Sequence, residues 1–240
     1  MKRSFLFCCL LWSLLPVLAQ EATGGMQVQH LLTFKKKTLL FQDDFSKGLD
    51  TTAWRSEIDT QGTSSVYVRQ GQLVLDIKGG VTTWLNKPLQ GNILIEYNRT
   101  VLLDGGMHDR VSDLNQFWMA TDPRNANLFT RTGVFESYDS LQLYYAGVGG
   151  NTNTTTRFRK YHGDGQKPLV QEYLDKAHLL QPNKTYHIQT IVYNGITQFI
   201  VDGIPYFTYK DAAPLTSGYF GFRSTGSRQV INEVKVYRIE

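Results

Sequence analysis

Along most of the chain, apolar and polar positions alternate in short runs separated by turn-forming pairs. The pattern is sharpest near the end, where residues 186–193, 197–201 and 205–209 are parted by Asn194-Gly195 and Asp202-Gly203. Those dipeptides supply the positive φ angles that tight hairpin turns need, so the three runs are predicted to form a meander. The same reading places strands at 65–69, 72–77, 82–85, 92–103 and 114–120, and again at 218–223 and 230–239. The last of these alternates only in part, as an interior strand covered on both faces would. Long helical periodicity is missing, and the two short helical candidates are 125–130 and 169–180. The pattern predicts an all-β sandwich of antiparallel strands and not a series of βαβ units.

The first 19 residues change what is counted. Lys2-Arg3, an apolar run from Phe5 to Leu15, and Val17-Leu18-Ala19 read as a secretory signal peptide. That run is shorter than the roughly 20 residues a bilayer span takes. Export to the periplasm or the medium is therefore expected, with no membrane association after cleavage. Cys8 and Cys9 fall inside the signal, so the exported chain has no thiol for a disulfide, a cysteine zinc site or a nucleophile. Removing 19 residues from 240 leaves 221, enough for one large β-domain. Residues 20–36, polar and ending in the Lys35-Lys36-Lys37 run, are expected to form a mobile leader, with the domain spanning 37–240. Without Lys2 and Arg3 the chain carries 23 basic and 21 acidic side chains, a net charge of +2. Such a balance argues against a nucleic-acid surface.

Chemistry concentrates between Asp104 and His162. The stretch up to Trp118 holds His108, Arg110, Asp113, Asn115, Gln116 and Trp118; the stretch from Tyr144 holds Tyr145, Asn151, Arg157, Arg159 and Tyr161. A cleft that grips a hydroxylated ligand combines amides, guanidinium groups and flat rings, so carbohydrate is the expected partner. Alternation sorts these residues. On a strand, Asp113, Asn115, Phe117 and Met119 share one face and Leu114, Gln116 and Trp118 the other, while Arg157, Arg159 and Tyr161 share a face opposite Phe158 and Lys160. An Asn115 turned inward would need a hydrogen-bond partner, which a pocket floor can supply. The two arginines equally fit an exposed strand edge. Trp54 is expected in the core, Trp84 and Trp118 fit either a core or a sugar-stacking platform, and Met107 and Met119 are expected to pack.

Phe41-Gln42-Asp43-Asp44-Phe45 with Trp54, the meander at 186–209, and Gly218-Tyr219-Phe220-Gly221-Phe222-Arg223 with Val236-Tyr237-Arg238-Ile239 together resemble the concanavalin A-like superfamily, over nearly the whole exported chain. Residues 112–120 and 149–159 look like an exported bacterial family of unassigned activity associated with polysaccharide degradation. The resemblance implies a jelly-roll β-sandwich of two antiparallel sheets and a sugar context. Lectins, carbohydrate-binding modules, glycoside hydrolases and polysaccharide lyases all occur on that fold, so it does not select among them.

Retaining hydrolases on this fold commonly carry Glu-x-Asp-x-Glu on one strand, and this chain has no such triplet. Its nearest approach, Glu136-Ser137-Tyr138-Asp139, would put the two acids on opposite faces of a strand. A uronate lyase needs a base for the α proton, a group that neutralises the carboxylate, and an acid for the leaving oxygen. Candidates for the catalytic roles are His108, Tyr144, Tyr161 and Arg157. Substrate binding would fall to Arg110, Asp113, Asn115, Gln116, Trp118, Tyr145, Asn151 and Arg159, with the arginine forks matching a carboxylate. β-Elimination is set ahead of hydrolysis on these grounds, and a non-catalytic carbohydrate-binding module is the rival. No cofactor is expected: the five histidines form no His-x-x-x-His pair for zinc. Asp43 and Asp44, with Asn232 or Glu233, would offer oxygen ligands to a structural Ca²⁺ if the terminal strands are neighbours.

Overall fold

The computed structural model describes residues 30–60 and 62–240, so the expected signal peptide and the expected leader up to residue 29 lie outside the described residues. The strands assemble into two eight-stranded antiparallel sheets. The first runs β14 (Ile204–Lys210), β13 (Ile196–Val201), β12 (Thr185–Tyr193), β7 (Ile93–Val101), β16 (Arg228–Ile239), β4 (Gln72–Asp76) and β3 (Ser65–Arg69), with β1 (Lys37–Asp43) also on β16. The second runs β11 (Leu169–Tyr173), β10 (Thr155–His162), β9 (Gln142–Gly149), β8 (Leu114–Thr121), β15 (Ser217–Thr225), β5 (Gly80–Leu85) and β2 (Trp54–Ile58), with β6 (Leu89–Gln90) also on β15.

Local chemistry accounts for much of this. Asn194 and Asp202 adopt φ of 49° and 51°, each followed by a glycine at 79°, which gives the two tight turns of the meander. Strand β16 pairs with β1, β4 and β7, and a bulge at Glu233 (φ 56°) shifts its register between Asn232 and Lys235. Interior position and bulge together explain its broken alternation.

The inner faces of the sheets bury Trp54, Tyr97, Trp118, Tyr144, Phe158, Phe199, Phe220 and Phe222. Full burial of such a side chain stabilises the fold by about 1.5–3 kcal/mol. Three candidates for ligand binding or catalysis belong to this core, which corrects the expectation for them. Trp118 Nε1 donates to Thr197 Oγ1 at 3.0 Å. Gln116 accepts from Tyr97 Oη at 2.5 Å and donates to Thr190 Oγ1 at 2.6 Å. Tyr144 donates to Asp211 Oδ2 at 2.5 Å, and Lys160 pairs with the same carboxylate. Each is one residue out of phase with an outward-facing neighbour, so strand alternation sends it inward.

Other differences have local causes. Residues 169–180 open with strand β11, which pairs along β10, and only Lys176–His178 turn as a 3₁₀ segment capped by Asp175. Residues 125–130 are irregular because Asp122, Asn125 and Asn127 each accept from a backbone N–H two residues on, a chain of local turns that competes with a helix. Residues 30–36, expected within a mobile leader, are docked. Gln198 bonds the backbone of Leu32 and His30, the N–H groups of Lys35 and Lys36 donate to the carbonyl of Glu240, and Leu32 and Phe34 pack on Leu94, Ile191, Ile200 and Ile239.

The feature that shapes the site is the long excursion between β8 and β9. It folds back over the outer face of the second sheet, where Trp84, Phe117, Leu128, Tyr138, Leu141, Leu143 and Tyr161 form a second apolar cluster. Glu57 anchors it, accepting from Trp84 Nε1 at 2.8 Å, Tyr138 Oη at 3.0 Å and the Arg131 N–H at 2.6 Å. Burial pushes the Glu57 carboxyl up, and those hydrogen bonds oppose the push. The excursion covers one half of this face and leaves the other half open.

Candidate functional site

The open half is a cleft of about 660 Å³. Strand pairing builds its floor as a row across four strands: Arg223 on β15 faces Asn115 on β8, Asn115 faces Gly147 on β9, and Gly147 faces Arg157 on β10. Tyr145 and Arg159, also paired, form part of the next row. The strap at Val134, Phe135 and Glu136 makes one wall, and the turn carrying Asn151 and Thr152 makes another.

Gly147 is the gap that lets the floor close in. A Cβ there would lie 2.1 Å from Tyr145 Oη and 2.8 Å from Asn115 Oδ1. The Asn115 amide is held from behind: its Nδ2 donates to Asp113 Oδ1 at 3.2 Å, while Asp113 Oδ2 accepts from Arg110 at 2.5 Å and from Ser112 at 2.8 Å. A flipped amide would oppose two oxygens, so the Asn115 amide nitrogen faces Asp113 and its oxygen is left as an acceptor without a partner. This changes its expected role, because an amide oxygen receives a hydroxyl and not a carboxylate.

Beneath the row lies Arg99 of β7, fully buried between the sheets. Its Nη1 donates to the carbonyl of Asn115 at 2.8 Å, Nη2 to the carbonyl of Arg223 at 2.9 Å, and Nε to Gln229 Oε1 at 2.6 Å. Burial lowers its pKa to about 10, which leaves it charged at neutral pH. Arg223, also fully buried, donates to the carbonyl of Gly133 and to Thr225 Oγ1, and stands 5.1 Å from the Phe135 ring centroid.

Three buried polar atoms at this floor have no hydrogen-bond partner: Asn115 Oδ1, Tyr161 Oη and Arg223 Nε. An unmet buried group costs about 1–3 kcal/mol. Charge is unbalanced as well. Arg110 pairs with Asp113, Arg157 with Glu172, and Lys167 with Asp139 at 2.6 Å. Among the described residues, no carboxylate lies in ion-pair range of Arg99, Arg159 or Arg223; Arg159 Nη1 instead donates to the carbonyl of Lys167 at 2.7 Å. Burial pushes the phenols of Tyr145 and Tyr161 well above their ordinary range, so both are protonated at neutral pH. They serve as hydrogen-bond partners and proton donors more readily than as bases.

The turn beside the cleft is backbone-strained. Gly149, Asn151, Thr152 and Asn153 have φ of 69°, 51°, 60° and 57°, a left-handed run that costs the non-glycine residues roughly 1–2 kcal/mol each. Asn153 ties it down by bonding both backbone groups of Leu180 at 2.9 Å. Strain held in this way clusters at binding sites.

The cleft thus gathers Arg110, Asp113, Asn115, Tyr145, Asn151, Arg157, Arg159 and Tyr161 from the sequence-derived candidates. His108 does not join them. Its Nδ1 is 2.7 Å from Asp76 Oδ1 and its Nε2 3.0 Å from Thr63 Oγ1, because Arg228 clamps Asp104 and Asp109 and turns that loop toward β4. Glu136 and Asp139 sit on and beside a 3₁₀ turn, Phe135–Tyr138, and not on a strand. Arg223, Gly147, Phe135 and Lys167 were missed. Only Arg223 had a signal, being out of phase with the core residues Phe220 and Phe222.

At the other end of the molecule, Asp43 accepts from Trp54 Nε1 and the Phe45 N–H, Asp44 accepts from Ser46, and Glu233 pairs with Lys235. The terminal strands β1 and β16 are neighbours, the condition set for a Ca²⁺ site; among the described residues no group of three His, Cys, Asp or Glu is placed to hold a metal ion.

Comparison with known proteins fits this architecture. Residues 75–234, more than half of the chain, match the family described as a domain of unknown function, DUF6250, and the chain belongs to that family. No curated protein matches it in sequence. Among solved structures, it is similar to a Bacillus subtilis protein of unknown function with a galectin-like fold, at 19% identity and TM-score 0.69, over 86% of this chain and 98% of that one. The laminarinase catalytic domain from Thermotoga maritima aligns at 12% identity and TM-score 0.60, over 86% and 100%. The carbohydrate-binding module CBM66 from Bacillus subtilis aligns at 15% identity and TM-score 0.52, over 76% and 94%. The fold is the concanavalin A-like jelly-roll β-sandwich.

Proposed function

We propose that this member of the DUF6250 family is an exported protein that binds an acidic oligosaccharide in the open cleft and cleaves it by β-elimination at a uronate. The observation that carries the reading is the floor row itself: Arg159 and Arg223 without carboxylate partners, beside the unmet atoms of Asn115, Tyr161 and Arg223. A sugar acid complements that set, with a carboxylate for a guanidinium and hydroxyl groups for Asn115 Oδ1 and Tyr161 Oη. The names of the structural neighbours, a laminarinase domain and a carbohydrate-binding module, support a sugar ligand.

For elimination, the α proton would pass to the Glu136 carboxylate on the cleft wall, and a guanidinium beside the uronate carboxylate stabilises the charge that develops as it leaves. A protonated Tyr145 or Tyr161 then donates to the departing oxygen. Hydrolysis remains a rival, because Asp59 and Glu136 also line the cleft, but Asp113, the carboxylate nearest the floor row in sequence, is occupied by Arg110, Ser112 and Asn115. The raised phenols favour a second reading, in which the cleft binds without reacting because neither tyrosine is a ready base.

Incubation with uronate-containing polysaccharides separates these outcomes. Ultraviolet absorbance of an unsaturated product supports elimination, and new reducing ends without it indicate hydrolysis. Calorimetric binding with neither makes the chain a binding module. Absence of binding across the panel refutes the reading.

A further inference from the structure

Arg99 is a buried cation with no carboxylate in contact among the described residues; Asp113 acts on it through space but is itself paired with Arg110. It projects from β7 of the opposite sheet, and its hydrogen bonds run to neutral oxygens: two backbone carbonyls and the Gln229 amide, with the protonated Tyr97 phenol beside it. The carbonyls belong to Asn115 and Arg223, the two residues that face each other across β8 and β15 in the cleft floor. Gln229 completes the enclosure by donating to the carbonyls of Ser112 and Asp113 and to the hydroxyls of Ser224 and Ser227. A carboxylate at position 229 would have cancelled the charge; an amide leaves it intact. Removing water from an unpaired ion is costly, and structures that keep one usually set it against an opposite charge.

A contacting opposite charge is missing on both sides of Arg99. On the inner side Arg99 is packed against Phe222, with its guanidinium carbon 5.8 Å from the ring centroid, and Tyr97 is on the same strand. On the outer side lies the floor row, with the Arg223 guanidinium above it and no carboxylate in ion-pair range of either among the described residues. Two guanidiniums, both fully buried, therefore act in the same direction on the cleft.

We infer that Arg99 is a specificity-determining residue: it touches no ligand, and its charge, acting through the floor, makes the cleft prefer an anionic sugar over its neutral counterpart. This rests on the acidic-oligosaccharide reading above. A clamp that only held Asn115 and Arg223 in place would weaken acidic and neutral sugars alike. A charge shifts their ratio, and from beneath the floor it does so with little screening by salt.

The test measures affinity for paired probes: oligomers of galacturonate, mannuronate and glucuronate, each with its carboxyl-reduced form. Wild-type protein should prefer the acidic member, and the preference should persist at about 1 M salt, where the Debye length is only about 3 Å. Arg99→Gln should cut the preference roughly tenfold, the effect of one charge about 10 Å away at an effective dielectric constant near 20. Arg99→Lys should weaken both members yet keep their ratio. An Arg99→Gln ratio equal to wild type, a wild-type preference that collapses in salt, or an Arg99→Lys that loses the ratio each overturns the inference and leaves acidic-sugar binding standing. Should Arg99→Gln fail to fold, the salt series and Arg99→Lys decide. A wild-type protein indifferent to every acidic probe overturns this inference and the reading beneath it.

Discussion

Replacing Tyr161 by Phe removes a single buried oxygen that has no partner, and its two effects should have opposite signs. In the free protein, Tyr161 Oη is buried and unpaired under the Lys167 ammonium, which lies 5.9 Å from its ring centroid. Deleting an unmet hydroxyl recovers its desolvation cost, about 1–3 kcal/mol, while the ring keeps its packing against Phe117 and Tyr145. For a domain of this size about 1 kcal/mol moves Tm by roughly 2–4 °C, so Tyr161→Phe should melt several degrees higher than wild type. Ligand affinity should fall by about 2- to 10-fold, the net worth of one hydrogen bond of about 0.5–1.5 kcal/mol. Urea denaturation gives the first quantity and calorimetry with the acidic oligomer gives the second. A variant that is less stable than wild type and binds as tightly would refute the reasoning, because the hydroxyl would then have an internal partner and no ligand.

Other substitutions probe the same geometry. Gly147→Ala places a Cβ against Tyr145 Oη and Asn115 Oδ1, so it should cost roughly 1–3 kcal/mol of stability in urea and lower affinity for acidic oligomers more than Gly91→Ala, a glycine with open space around it. His108→Ala should leave binding and turnover within about twofold of wild type, since the ring bonds Asp76 and Thr63 away from the cleft, while losing about 1 kcal/mol of stability. Burial disfavours the ionised form of Asp109, but hydrogen bonds from Arg228 and from the N–H groups of Asp104 and Gly106 outweigh it and hold the carboxyl well below the usual range. Its contribution is therefore present above the unfolded-state pKa near 3.9 and lost as pH falls below it, so acid titration of Asp109→Asn should show a shallower loss of stability than wild type.

The fold was largely legible because two physical signals repeat along the chain. Alternation marked most strands, and Asn194-Gly195 and Asp202-Gly203 fixed the meander through their positive φ angles. Alternation also grouped Arg157, Arg159 and Tyr161 on one face and Asn115 with Asp113 and Phe117 on another, while leaving open which faces turn outward. It already set Gln116 and Trp118 opposite Asn115, and keeping those two as ligand residues was inconsistent with that division. Tyr144 and Tyr145 are adjacent aromatics, so type alone could not say which faces the cleft; register with β10 decides it. His108 depended on a clamp from Arg228, more than a hundred residues away, and no local pattern reports such a contact. Phe135 and Gly147 were invisible for a related reason: one acts through a strap folded back over the sheet, the other through the space it leaves empty. Arg99 reads in the sequence as one polar residue in a buried strand, and its partners come from the second sheet and the last strand.

The most direct test is to titrate isotopically labelled protein with the acidic oligomers and map the resonances that move. Binding in the open cleft should concentrate the shifts at Asn115, Tyr145, Gly147, Arg159 and Arg223, with the Arg223 Nε–H signal moving as it gains a partner. Shifts confined to another surface, such as the strand edge at Leu169 and Leu174, or no shift with any acidic sugar, would contradict the account.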